Sequence, residues 1–500
     1  MPLINKPAVG PFTRTERVII TIPVLSASLL HAVNMTTAYV ALPNIQGNLS
    51  ATPSQVGWVI TAFVVASAIG TIITGWLSNQ FGRRRIFITS IIGFTLTALL
   101  CATATGLNEL VVYRFLQGFV SAPLLPISQA IMLDTYPRER HGFAMSIWSM
   151  GMILGPVLGP TVGAALTEWY NWRYVFMINV PLGLIALAGI WAILPEAERQ
   201  TKRLDWIGVL ALTFSVCALQ LMLDRGERLD WFESWEIILY AVLCVTAGYI
   251  FVVHCLTARA PFLPIALLRN RNYTVGLVVV LVFGMLNFTP MTLLPPLMQN
   301  LGGHPDSVIG FLLGARGLGT LAGFFLMFFA AKWEPRMLMG AGFMAQAIAG
   351  WWMAQMDLNL DTDSLFWAIF LQGFGVGILW VPISTVAFAT LPAALVPDGT
   401  AFFHLLRNIG SSIHISLSIT LVIRSAKASY AGLTEYVSPF NESWTLPWVS
   451  GGWSQDSTQA LLAVSGEVGR QAAMIGYINS FYFFAITALV VLPLIVLVRR

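Results

Sequence analysis

Runs of about 20 apolar residues recur from one end of this 500-residue chain to the other, each long enough to cross a bilayer as a helix. Lipid offers backbone N–H and C=O groups no partners, so a spanning run must satisfy them internally. The runs are continuous rather than alternating, which excludes a membrane β-barrel. With 57% hydrophobic and only 10% charged residues, an ordinary soluble globule is excluded as well. The first run, beginning near Val18, is too long for a signal-peptide core and lacks a convincing cleavage site, so it reads as an uncleaved span. Further spans are expected near 56–78, 87–106, 110–133, 143–167, 176–194, 206–223, 235–254, 274–298, 308–331, 337–356, 364–390, 401–424 and 474–497, about 14 in all.

Charge sets the expected orientation. With the N-terminus in the cytoplasm, the loops on that side collect Lys6, Arg14, Arg17, Arg83, Arg84, Arg85, Arg138, Arg140, Arg199, Lys202, Arg203, Arg259, Arg269, Arg271, Lys332, Arg336, Arg499 and Arg500. Opposite loops hold only Arg173, Arg225, Arg228, Lys427 and Arg470. Positive charge retained in cytoplasmic loops is the rule for such proteins, so both termini are expected inside. Cys101, Cys217, Cys244 and Cys255 lie in or beside apolar runs without metal-type spacing and read as small core hydrophobes. No metal-type His/Asp cluster and no nucleophile with its base appears at motif spacing, so an embedded enzyme is not expected; no nucleic-acid partner or cofactor is expected either.

Two patterns suggest a moving machine. Gly151, Gly155, Gly159 and Gly163 fall every fourth position in one span, with Pro156 and Pro160 between them. On a helix the glycines form one stripe that admits a close neighbour, and each proline removes a backbone donor and favours a bend. Phe115-Leu116-Gln117-Gly118-Phe119 followed by Pro126-Ile127-Ser128 also returns as Phe370-Leu371-Gln372-Gly373-Phe374 followed by Pro382-Ile383-Ser384. Two halves built from similar units are the mark of carriers that rock one bundle against the other. The expected fold is therefore an all-α integral membrane protein: a six-helix bundle over 1–205, two inserted spans over 206–256, and a second six-helix bundle over 257–500 with an outer loop near 427–473.

Several motifs sharpen this. Gly75-Trp-Leu-Ser-Asn79-Gln80-Phe-Gly82-Arg83-Arg84-Arg85, Arg114-x-x-Gln117-Gly118, the Gly151–Gly163 ladder, and Trp172-Arg173 with Asn179 and Pro181 resemble, in order, the motifs of the major facilitator superfamily. The doubled Gly-Pro form resembles its fourteen-helix drug:proton antiporters. Ala41-Leu42-Pro43 and the stretch from Leu221 through Asp224-Arg225-Gly226 to Phe232 look similar to the EmrB-type subgroup. The resemblance implies a proton-driven exporter of amphipathic compounds in a bacterial inner membrane, working with a periplasmic adaptor and an outer-membrane channel. In that setting the ladder becomes a sliding contact of a rocker-type antiporter.

The departures are informative. Asn79 and Gln80 stand where the family usually has an acid and a base, which would weaken a charge latch at that loop. Asn34 stands where the first helix usually has an aspartate. All acids fall in loops or at span ends, whereas Arg114, Arg316 and Arg407 lie deep, and an ionisable group inside a membrane is a functional candidate by default. Without an embedded acid, histidine is the side chain that titrates near working pH, making His31, His404 and His414 the proton-coupling candidates. The expected substrate cavity includes Asn34, Arg114, Gln117, Arg316 and Arg407, and its arginines suit neutral or anionic amphiphiles. Gly75, Gly82, Arg83 and Arg84, with the ladder, form the expected conformational motif. An uncoupled facilitator, or an exporter of a dedicated metabolite such as a fatty acid, is the alternative. The stretch Lys427–Ala473, with Trp444, Trp448 and Trp453, reads as a partner-docking segment or a connecting loop.

Overall fold

The computed structural model describes residues 12–51, 53–194, 204–259, 261–330, 333–392, 395–438, 440–441 and 458–495. Its helices, in chain order, are α1 (Arg14–Asn48), α2 (Pro53–Val56), α3 (Trp58–Phe81), α4 (Arg83–Thr103), α5 (Leu107–Ser121), α6 (Leu124–Thr135), α7 (His141–Trp169), α8 (Tyr174–Met177), α9 (Asn179–Ile193), α10 (Trp206–Arg225), α11 (Trp235–Thr257), α12 (Ile265–Arg269), α13 (Arg271–Asn300), α14 (Asp306–Ala330), α15 (Pro335–Met353), α16 (Thr362–Ala389), α17 (Val396–Thr434), α18 (Thr458–Val490) and α19 (Leu492–Ile495). Among the described residues, 12 helical stretches are long and apolar enough to cross a membrane. Helices α7 and α15, of 29 and 19 residues, stand where the sequence suggests two more.

Helix ends follow local chemistry. Thr13 and Glu16 exchange side-chain and backbone bonds in a capping box at the start of α1. Gly82, at φ 89°, supplies the left-handed turn that lets α4 begin directly after α3. Asp205 caps α10 through Gly208 N–H, accepts from Phe262 N–H and meets His254 at 2.8 Å. Burial opposes its ionisation, but those two N–H groups and the imidazole outweigh it and hold the carboxyl below the usual range.

The glycine ladder docks on α1. A Cβ at Gly155 would fall 2.6 Å from the carbonyl carbon of Ala32, and one at Gly163 3.2 Å from Thr37 Cα. Thr36 Oγ1 donates to Gly155 O at 3.1 Å across the same contact. The ladder therefore joins two helices of the first half of the chain, rather than forming the seam along which the two halves meet. The backbone of α7 is helical through Pro156 and Pro160; those two side chains lie outside the described residues.

The inserted helices sit beside the seam between halves. At the end of α10, Asp224 accepts from Thr61 of α3 at 3.0 Å, while Leu223 O accepts from Ser416 of α17 at 2.7 Å. Trp231 Nε1, in the turn after α10, lies 3.2 Å from Thr420 Oγ1 of α17.

The expected loop near 427–473 is largely helical where it is described. Helix α17 runs 39 residues and α18 33, about 58 and 50 Å at 1.5 Å per residue, well beyond a hydrocarbon core of about 30 Å. Their projecting parts pair through Tyr430 and Ser465 hydroxyls at 3.0 Å, and residues 458–471 form the first part of α18. A helical pair satisfies its own backbone, which explains why the apolar spans continue past the bilayer. Trp444, Trp448 and Trp453, like Lys6, Arg199, Lys202, Arg203, Lys332, Arg499 and Arg500, lie outside the described residues.

Candidate functional site

Helix α5 brings Arg114 into the first half's interior, 1% exposed. Its Nε donates to Val59 O at 3.1 Å, and Nη1 donates to Gln117 Oε1 at 2.7 Å and to Asn34 Oδ1 at 3.5 Å. The guanidinium also lies 4.3 Å from the centroid of Phe63. Arginine has no acceptor, so both amides must turn oxygen toward it. Their nitrogens, Asn34 Nδ2 and Gln117 Nε2, are left buried without a partner. His31, 5% exposed, tilts against Phe63 at 5.9 Å and lies within electrostatic range of Arg407 and Arg114.

The second half carries the same triad with one member relocated. Arg316, on α14, donates to Gln372 Oε1 at 2.9 Å and to Asn287 O and Oδ1 at 2.7 and 2.6 Å, and meets Met291 Sδ at 3.1 Å. Gln372 in turn donates to Gln346 Oε1 at 3.2 Å, and Gln346 returns a bond to Gln372 O at 2.7 Å. Every arm of this guanidinium is occupied. Arg316, expected in a substrate cavity, is thus a tie between α13, α14 and α16.

Arg407 differs from both. Among the described residues its guanidinium makes one hydrogen bond, from Nη2 to the neighbouring Asn408 Oδ1 at 3.0 Å; its Nε is buried without a partner, and it lies 5.6 Å from the Trp380 centroid. Among the described residues neither Arg407 nor Arg316 has a carboxylate partner. The acids on the described helices lie within the first or last turn, except Glu467 on the projecting part of α18.

The two halves close on each other toward the Arg83–Arg85 end. His404 Nε2 of α17 meets Gln129 Oε1 of α6 at 2.6 Å. Gln129's nitrogen is turned to Met145 Sδ at 3.6 Å, so its oxygen accepts and His404 Nε2 carries the proton, leaving Nδ1 bare and unpartnered. Around this bond Trp148 of α7 stacks on Trp380 of α16 at 5.8 Å and 23°, and Trp148 Nε1 is held by Ser128 Oγ at 3.0 Å. Closer to that end, Asn79 Nδ2 donates to Asp398 Oδ1 of α17 at 3.2 Å, and a Cβ on Gly75 would fall 2.9 Å from Asp398 Cα. Arg83 pairs with Asp134 and lies within electrostatic range of Asp398. The latch that Asn79 was expected to weaken is present, with its acid supplied by the opposite half. Arg84 instead ties to Trp191 O at 2.8 Å.

His414 lies elsewhere, among α13, α17 and α18. Its Nδ1 meets Thr289 Oγ1 at 2.8 Å and Ser418 Oγ at 3.2 Å, and its ring stacks on Phe483 at 4.7 Å. The structure thus gathers His31, Asn34, Arg114, Gln117, His404 and Arg407 around the interior, and sets Arg316 and His414 within the second half. Sequence reasoning missed Gln129, Trp148, Asn287 and Asp398.

Two halves of like construction, packed from spanning helices and joined at one end over a buried polar interior, have the build of a membrane carrier. The Major Facilitator Superfamily signature matches residues 24–414, and the chain belongs to that family: it is a transporter, not an enzyme. It is 34% identical over 435 residues, 86% of this chain and 85% of the relative, to the multidrug export protein EmrB of Escherichia coli K12. It is 30% identical over 488 residues, 96% of each chain, to the fatty acid resistance protein FarB of Neisseria gonorrhoeae. Among solved structures, the proton:xylose symporter XylE superposes with a TM-score of 0.62 at 13% identity, covering 96% of this chain and 95% of that one.

Proposed function

We propose that this transporter is a proton-driven exporter of hydrophobic and amphipathic compounds, and that its two six-helix bundles, 1–205 and 257–500, rock about the seam beside the inserted pair 206–256. The Arg83–Arg85 end faces the cytoplasm of a bacterial cell with both termini, as the charge bias implies. Closure at that end then corresponds to the outward-facing state. The observation that carries the reading is an interior in which, among the described residues, acids lie only near the ends of the spanning helices, while His31 and His404, one from each half, each keep an unpartnered Nδ1. Imidazole is the side chain there whose ordinary pKa lies nearest neutral. Gain of a proton at His404 changes the charge within the bond that joins the halves, which is what coupling requires. His414, also with an unpartnered ring nitrogen, is the third candidate. Substrate leaving the outer side passes to a periplasmic adaptor and an outer-membrane channel, the arrangement that likeness to EmrB suggests; likeness to FarB makes a dedicated fatty-acid carrier the second reading.

The test is transport in proteoliposomes of defined pH gradient. Concentrative transport should collapse with an uncoupler, and His31→Gln or His404→Gln should abolish gradient-driven accumulation while leaving downhill flux. If both variants and His414→Gln still concentrate substrate, histidine coupling is wrong; if the wild type ignores the uncoupler, the protein is a facilitator. A panel of hydrophobic drugs and fatty acids separates a multidrug carrier from a dedicated one.

A further inference from the structure

The turn that joins the two inserted helices grips both halves of the chain, at the end of α3 away from Arg83. Toward the first half, Thr61 of α3 donates to Asp224 at 3.0 Å, and the Arg225 guanidinium lies 5.3 Å from the centroid of Trp58 on the same helix. Toward the second half, Ser416 of α17 donates to Leu223 O at 2.7 Å. Trp231 Nε1 lies 3.2 Å from Thr420 Oγ1, and Arg424 Nε lies 3.7 Å from Glu227 Oε2. Residues 416, 420 and 424 line one face of α17.

The turn holds its own shape. Asp230 and Trp231 both have left-handed backbones, at φ 53° and 54°, and a bulky residue rarely adopts that conformation. Such strain persists where the surroundings over-determine it. Trp231 N–H donates to Gly226 O at 2.7 Å, and its indole N–H also reaches Glu227 Oε2 at 3.0 Å. Arg225 pairs with Glu236, which accepts from Tyr240 at 2.7 Å. At the opposite end of the pair, Asp205 bonds Gly208, His254 and Phe262, which belong to the pair or to the linker after it.

Helices α3 and α17 also carry the latch at the Arg83–Arg85 end, through Asn79 and Asp398. Each is one unbroken helix from latch to turn, so rocking that parts them at the latch changes the spacing of Thr61 and Ser416. A turn of fixed shape cannot follow both, and one grip must open. Ser416, Thr420 and Arg424 hold it over about two turns of α17, Thr61 and Trp58 over about one turn of α3. We propose that residues 223–236 form a strap that travels with α17 and releases α3 when the Arg83–Arg85 end opens. A contact made in one state alone shifts the equilibrium toward that state, so the strap favours closure at that end. This rests on the rocking motion proposed above and gives the inserted pair its part in it.

Amide hydrogen exchange of the full chain in nanodiscs, read by mass spectrometry without substrate, tests this. Thr61→Val should raise exchange at 136–142 and 398–402, beside the latch, about twofold or more, and Asp224→Ala should do the same. Together they should raise it no further than either alone, because both remove one bond. Ser416→Ala should raise exchange within 223–236 more than Thr61→Val does, since α17 is the seat the strap keeps. Thr71→Val, on a buried α3 threonine that donates to Ser67 O of its own helix, should change neither region. Asp398→Ala cuts the latch and should raise exchange at 136–142. If it does not, the rocking motion is wrong and the strap falls with it. If it does, while Thr61→Val and Asp224→Ala have no effect or add, the strap alone is refuted. An equal rise with Thr71→Val would also refute it, by showing a general loosening of α3. A larger effect of Thr61→Val than of Ser416→Ala within 223–236 would overturn the assignment of the strap to α17.

Discussion

The first and second halves of the chain share a skeleton of close backbone contacts and differ in which helix supplies the cation. Gly118 seats α5 on the backbone of Phe63, and Gly373 seats α16 on the backbone of Arg316; a Cβ would lie 2.9 Å from Phe63 Cα in one and 2.9 Å from Arg316 Cα in the other. Seven residues further along each partner helix, Gly70 packs on Phe119 and Gly323 on Phe374 in the same way. Phe63 and Arg316 are therefore equivalent places, as are Asn34 and Asn287. Where the first half has Arg114 and Phe63, the second has Ile369 and Arg316. A guanidinium beneath the repeated glutamine is retained, but it reaches that point from a different helix. The second half's guanidinium is thereby enclosed by Asn287, Met291 and Gln372, whereas the first half's leaves two buried amide nitrogens without partners.

The glycine ladder shows the same logic. In the first half Gly155 and Gly163 press on the backbone of α1. In the second, Gly284 of α13 and Gly410 of α17 each press on the other helix's backbone, so one stripe is replaced by a glycine from each side. The place of Gly159, against Thr36, is taken by His414, which bonds Thr289 instead. A close helix pair is conserved in geometry while its sequence signature disappears.

The strongest way to break this equivalence is at the glycine seats. Gly118→Ala and Gly373→Ala should each cost about 3 kcal/mol or more, because backbone on both sides leaves no room to relax; thermal unfolding in detergent checks it. Tolerance of either alone would mean the seats are not equivalent.

Next in size is the relocated arginine. Arg316→Phe strands the buried amide of Gln372 and takes the partner from half-buried Asn287, and should cost on the order of 3 kcal/mol. Adding Ile369→Arg recreates the first half's arrangement and should recover about 1–2 kcal/mol of that, a coupling that a double-mutant cycle measures. Additive losses would show that the two sites do not exchange their roles.

The smallest effect lies on the ladder. At Gly151 the nearest neighbour is the flexible Leu25 side chain, so Gly151→Ala should change stability by about 0.5 kcal/mol or less, offset in part by helix propensity. Gly155→Ala, facing Ala32 backbone, should cost several times more. Equal costs would mean that α1 and α7 shift freely against each other.

Much of the fold was legible in the chain because hydropathy and charge act locally. A run of apolar residues partitions into lipid whatever surrounds it, so the boundaries of nearly all spans followed from the sequence, as did the placement of acids at helix ends. The Phe-Leu-Gln-Gly-Phe repeat was equally visible. The long projecting helices α17 and α18 were not, since a polar amphipathic stretch is read as loop until a neighbouring helix covers one face.

What the sequence determined by itself is a helical, two-part transporter with three deep arginines and no deep acid. Only the tertiary structure decided which of those arginines is spent and which is free. Arg114, Arg316 and Arg407 are alike as residues in an apolar span. Their difference arises from groups far along the chain, Asn34 and Gln117 for one, Asn287 and Gln372 for another, and for Arg407 the absence of any such pair. Directional hydrogen bonds act only at contact distance, and which helices come within that distance is written in the packing of backbones, not in the order of residues.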